Sequence, residues 1–76
     1  MKIQLSGISA EVFNSEYLET ERKLNRVSDL KKYLLSKKPE LSSSDTRVSI
    51  NSILAEEGSE LKDEDIILVF HPYAGG

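Results

Sequence analysis

The 76-residue chain contains no cysteine and no tryptophan, a single histidine (His71), two prolines and four glycines. Without cysteine there is no disulfide, no thiolate metal site and no thiol nucleophile. With one histidine, a His-rich metal site or a histidine pair is excluded. No apolar run approaches the ~20 residues that span a bilayer, so no membrane role is expected. The first fifteen residues carry neither a basic segment nor a long apolar one, and a cytoplasmic chain is expected. Basic charge is also short: ten Lys and Arg stand against thirteen Asp and Glu, a formal net charge of −3. That disfavours nucleic acid as a partner, since phosphate neutralisation needs a basic patch. The length allows one domain, which buries only about 60% of the surface of its unfolded form. Little chemistry can be assembled here and no deep cleft can hold it, which argues against a self-contained enzyme.

What is present is unevenly placed. Residues 1–38 carry +3 and residues 39–76 carry −6. Most of the acidic excess lies in Glu56, Glu57, Glu60, Asp63, Glu64 and Asp65. These residues read either as a solvated acidic surface or as a rim that steers a basic partner to the C-terminal end.

Apolar and polar residues alternate over 1–6, with Ile3 and Leu5 on one side, the period of a half-buried strand. Residues 8–15 fit a turn or a short helix. Residues 17–24 predict a second strand, with Leu18, Thr20, Arg22 and Leu24 on its less polar side. Ser28 is a candidate N-cap, and Asp29 would lie near the positive end of the helix dipole. Leu30 and Leu34 follow helical spacing, and Pro39 stops the helix. Residues 41–45 read as a loop. Residues 47–51 alternate again, with Ile53 and Leu54 extending the apolar stretch. In residues 55–65 Leu61 is the one apolar anchor. Residues 66–70 are continuously apolar, as in a central strand with neighbours on both edges. Pro72 cannot continue that strand.

The predicted order is two strands, a helix, a strand, an irregular element and a strand. One helix covers one face of a sheet. With the last strand placed beside the first, the result is an α+β fold. It is a ubiquitin-like β-grasp with a mixed sheet of four to five strands and one main helix across one face. The domain spans residues 1–70 and a flexible Gly-Gly tail spans residues 71–76.

Three features coincide in this chain: the β-grasp order, Asp63-Glu64-Asp65 before the last apolar strand, and Phe70-His71-Pro72-Tyr73-Ala74-Gly75-Gly76. Together they resemble the MoaD/ThiS family of sulfur-carrier proteins, on the side of the small subunit of molybdopterin synthase. Val48-Ser49-Ile50-Asn51 is similar to the family's third strand. Two positions depart from the pattern. His71 stands where the family has a first proline, and Glu64 where it has glycine.

The chemistry of such a tail follows from its groups. A terminal carboxylate has a pKa of about 3.3–3.7, so at neutral pH it is ionised and a poor acyl donor. Attack of its oxygen on the α-phosphorus of ATP gives an acyl-adenylate and expels pyrophosphate. A sulfur donor then displaces AMP and leaves a thiocarboxylate. Two glycines remove side-chain bulk where the end must thread into another protein. The residues after Phe70 reach roughly 20 Å when extended.

The resemblance implies that Gly76 is the modified residue and that Pro72, Tyr73, Ala74 and Gly75 thread the tail. It implies docking through Phe70 and Leu54, with Ile67 and Val69 in the core, although periodicity alone does not choose between the faces of the last strand. His71 is read as a tether or interface residue. The implied partners are an E1-like, MoeB-like adenylyltransferase that uses ATP and a MoaE-like large subunit of molybdopterin synthase, in a heterotetramer. No catalytic residue, metal or bound cofactor is expected in this chain. Three alternatives remain: a ThiS-like carrier for the thiazole of thiamine, a ubiquitin-like protein modifier, and an interaction module with an inert tail.

Overall fold

The computed structural model describes residues 1–20, 23–43 and 45–72. The elements in chain order are β1 (Lys2–Leu5), α1 (Gly7–Phe13), β2 (Tyr17–Glu19), α2 (Val27–Lys37), a 3-10 turn (Pro39–Ser43), β3 (Arg47–Ile50), β4 (Ile53–Leu54) and β5 (Ile67–Phe70). They form one five-stranded sheet in the order β2-β1-β5-β3-β4. β1 and β5 run parallel, and the other pairs are antiparallel. The most apolar segment of the chain is therefore the central strand, with a neighbour paired on each edge and one face turned to the core. This is the expected β-grasp.

The sheet buries one face. Ile3 and Leu5 of β1, Val48 of β3, and Ile67 and Val69 of β5 are at most 3% exposed. They share a core with Val27, Leu30 and Leu34 of α2 and with Leu24, Leu41 and Leu61. Fully burying a side chain such as Leu30 contributes about 1.5–3 kcal/mol.

Three local expectations are corrected, and the open choice over residues 8–15 is settled. The strand expected over 17–24 ends at Glu19, because its partner β1 is short and Lys2 already pairs with Glu19. Leu24 lies beyond it and turns into the core, and Arg22 lies outside the described residues. Ser28 is not the N-cap of α2. The helix starts at Val27 because the loop over 57–59 supplies acceptors: Val27 N–H donates to Ser59 C=O (3.0 Å) and Ser28 N–H to Glu57 C=O (2.9 Å). Asp29 does act in the first turn, accepting the Arg26 N–H at 3.1 Å. Residues 8–15 hold a helix, α1, closed by Asn14 in the left-handed region at φ 54°. The expected loop after Pro39 contains a 3-10 turn that inserts Leu41 into the core at 2% exposure.

The acidic segment packs through Leu61, as expected, with 4% exposure. Part of its charge meets the basic side of α2: Lys31 Nζ bonds Glu57 at 3.1 Å, and Arg26 lies 4.0 Å from Glu60. Such exposed pairs contribute little to stability. No helix among the described residues is long and apolar enough to cross a membrane.

Candidate docking face and tail root

The strand register sorts the side chains opposite the core. Phe70 stands across from Arg47 and Leu68 across from Ser49, while Ser49 also stands across from Leu54. On the other side Leu68 pairs with Gln4, and Gln4 with Tyr17. This face has no helix on it. Leu54 is 57% exposed, and Phe70 and Leu68 are half-buried. Ile66, just before β5, is 67% exposed. Gln4, Ser49, Ser52, Leu54, Ile66, Leu68 and Phe70 line a shallow depression there. Contiguous exposed apolar surface of this kind marks an interaction site more often than isolated apolar residues do. The rim is polar. Lys2 Nζ sits 4.2 Å from the centre of the Tyr17 ring, and Arg47 is held by both carboxylate oxygens of Asp45 at 3.2 and 3.1 Å.

A second polar cluster fixes the edge of this face. The β3–β4 hairpin turns through Asn51 (φ 53°) and Ser52 (φ 70°), both left-handed as a type I′ turn requires. Asn51 Oδ1 accepts the Ile66 N–H at 2.9 Å, and the Asn51 N–H donates to Ile66 C=O at 2.8 Å. Asn51 Nδ2 donates to Asp65 Oδ1 at 3.0 Å, while Asp65 Oδ2 accepts the Lys62 N–H at 2.9 Å. The two sequence signals that stood apart, the strand-ending Asn and the Asp-x-Asp, are thus one cluster. It bolts the hairpin to the entry of β5. In the described structure this role falls to Asp65.

Phe70 and Leu54 both lie on the open face. His71, grouped with them at the sequence level, does not present its side chain there. It is 8% exposed, and its Nε2 accepts the Ser9 N–H at 3.2 Å and lies 2.5 Å from the Ser9 hydroxyl. The physical reason is α1, whose first turn brings an uncapped N–H to the end of β5. Burial pushes the His71 pKa below the ordinary 6.5, with the backbone and charge of Asp45 opposing in part. Pro72 is exposed and ends the described chain; Tyr73, Ala74, Gly75 and Gly76 lie outside the described residues. Sequence reasoning missed Ser9, since nothing in a lone serine of a short amphipathic stretch points to a contact 62 positions away. No group of three His, Asp or Glu among the described residues could hold a metal ion.

The family profile of ThiS matches residues 3–76. The chain belongs to the ThiS family. No curated protein matches it. Among solved structures it is similar to SAMP1 from Haloferax volcanii, with 24% identity and a TM-score of 0.76 over 100% of this chain and 98% of that one. It is similar to a putative molybdopterin converting factor, subunit 1, from Pyrococcus furiosus, with 21% identity and a TM-score of 0.80 over 93% and 94%. It also resembles a chain of the BexX/CysO complex of Amycolatopsis orientalis, with 16% identity and a TM-score of 0.73 over 99% and 98%. These likenesses carry the fold, and the family match extends from β1 through the Gly-Gly end.

Proposed function

We propose that this ThiS-family chain is a sulfur carrier whose terminal Gly76 is adenylated and then thiocarboxylated. The observation that carries the reading is the pairing of a family match running through residue 76 with an uncovered apolar face beside the point where the tail leaves β5. One part of the molecule is consumed chemically, and the other is what a partner recognises.

The carboxylate oxygen of Gly76 attacks the α-phosphorus of ATP, and pyrophosphate leaves. A sulfur donor attacks the resulting acyl carbon, and AMP leaves. The adenylating enzyme, of MoeB type, supplies ATP and the catalytic groups; this chain supplies the carboxylate and the docking face. With no cysteine in the chain, carried sulfur rides on the carboxyl end. The acceptor we assign is a MoaE-type large subunit of molybdopterin synthase, in a cytoplasmic heterotetramer. The Pro72-x-Ala74 tail supports that branch over the thiazole one.

The test is intact mass after incubation with ATP, sulfide and a purified MoeB-type enzyme. A gain equal to the replacement of one oxygen by sulfur is expected. An unchanged mass with an enzyme that charges another carrier overturns the proposal. Sulfur transfer to a thiazole-forming enzyme, or isopeptide conjugates on lysines, would move the chain to the thiamine or the modifier branch.

A further inference from the structure

Ser9 is the third residue of α1, so its N–H has no acceptor within the helix. An N-cap side chain ordinarily takes such a donor. Ser6, at the N-cap, does not: its hydroxyl donates to Val69 C=O at 3.1 Å, as does its own N–H. The acceptor is His71 Nε2 instead. The last carbonyl region of β5 and the first residue after it are thereby both tied to the start of α1. Accepting an N–H requires an unprotonated Nε2, so the neutral ring carries its proton on Nδ1. Nδ1 is buried without a well-formed hydrogen bond among the described residues, while the Asp45 backbone lies close enough to the ring to favour its protonation.

We propose that the Ser9–His71 contact is a latch that sets the direction in which the chain leaves the sheet at Pro72, which makes Ser9 and His71 positioning residues for the delivery of Gly76. The inference rests on the carrier reading above. Proline restricts the backbone by its ring; this chain has histidine at the tail root and restrains it by a side-chain bond to another element. The two devices differ in one respect. A proton on Nε2 would face the Ser9 N–H, donor against donor, so acidification breaks the amide half of the latch and leaves the Ser9 hydroxyl, 2.5 Å away, as the ring's acceptor. The charged groups around the ring are few. Asp45, before β3, favours the protonated ring, but Arg47 already holds its carboxylate from two nitrogens. Glu11, the one acid of α1, is exposed.

The test has two parts. In the chain alone, imidazole 15N shifts should report an Nδ1–H tautomer at pH 7. On acidification the Ser9 amide resonance should move together with His71 protonation, with a midpoint below 6.5. In charging assays with a MoeB-type enzyme and ATP, His71→Ala should raise KM for the carrier by about tenfold with kcat unchanged, the scale of re-ordering one freed residue on docking. His71→Gln, which keeps an acceptor, should restore most of the KM. It should also lack the rise in KM expected of the wild-type chain as acidification breaks the amide half of the latch. Wild-type charging with no KM change in His71→Ala, or a Ser9 amide indifferent to His71 protonation, overturns the latch and leaves the carrier reading standing. A wild-type chain that is never charged, with the spectroscopic coupling intact, overturns the carrier reading and the positioning role with it.

Discussion

The two faces of β5 differ by one residue in sequence and by a solvent boundary in space. Val69 is 0% exposed within the core, whereas its neighbour Phe70 lies half-buried on a face that carries no helix. The covered face is aliphatic throughout: Ile3, Leu5, Val48, Ile67 and Val69. The open face mixes Leu54, Ile66, Leu68 and Phe70 with Gln4, Ser49, Lys2 and Arg47. The first composition suits dry packing, where every polar atom would lose water. The second suits a surface that is wet when free and partly dried by a partner, with aromatic and aliphatic anchors inside a polar rim. A strand can serve both because its side chains alternate with a period of two.

The sharpest way to break this comparison is to place one charge on each face. Val69→Asp should destabilise the fold by about 4 kcal/mol or more, a large part of the ~5–15 kcal/mol available to a domain, because the carboxylate has no partner in the core. Urea unfolding checks it, and a folded, stable variant would show that the covered face is not dry. Asn51→Ala removes the side-chain bonds to Ile66 and Asp65 at a residue with φ 53°. A loss of about 1–3 kcal/mol is expected, and Asn51→Gly should recover the backbone share of it. Phe70→Asp, one residue from the first site, should cost about 1 kcal/mol or less yet weaken partner binding by about 30-fold or more. Calorimetry of binding against circular dichroism of the free chain separates the two, and an unfolded variant would move Phe70 into the core. The smallest effect is on pH. His71 has a lowered pKa in the folded state, so its contribution to stability is full above 6.5 and is lost as pH falls below it. His71→Gln should flatten that part of the profile of unfolding midpoint against pH, and a slope that persists would assign it to another group.

Much of the architecture was legible because its signals are local. The period-two stretches at Ile3–Leu5 and Val48–Ile50, the helical spacing of Leu30 and Leu34, and the continuous apolar run at the end each became the expected element. What was not legible depended on distant partners. Ser28 has the residue type of an N-cap, but the carbonyls of Glu57 and Ser59 let the helix start ahead of it, at Val27. Residues 17–24 have strand-like alternation, but the pairing with the first strand stops at Thr20, which exchanges backbone hydrogen bonds with Met1. Leu41 sits among serines, and only the 3-10 turn carries it inward. For the candidate site, Phe70 and Leu54 came from the family pattern and stand on the open face, while the two sets of alternating residues in β5 were equivalent by periodicity.

The sequence by itself determined that the chain has no thiol, that its last strand is its most apolar, and that its distinctive residues gather at the C-terminal end. These are properties of composition and spacing, which need no third dimension. Tertiary structure decided which face of β5 is covered, that Asn51 and Asp65 are one cluster, and that His71 turns inward to Ser9. Each depends on residues brought together from 14 to 62 positions apart, and hydrogen-bond partners at such separations are set by packing rather than by local propensity.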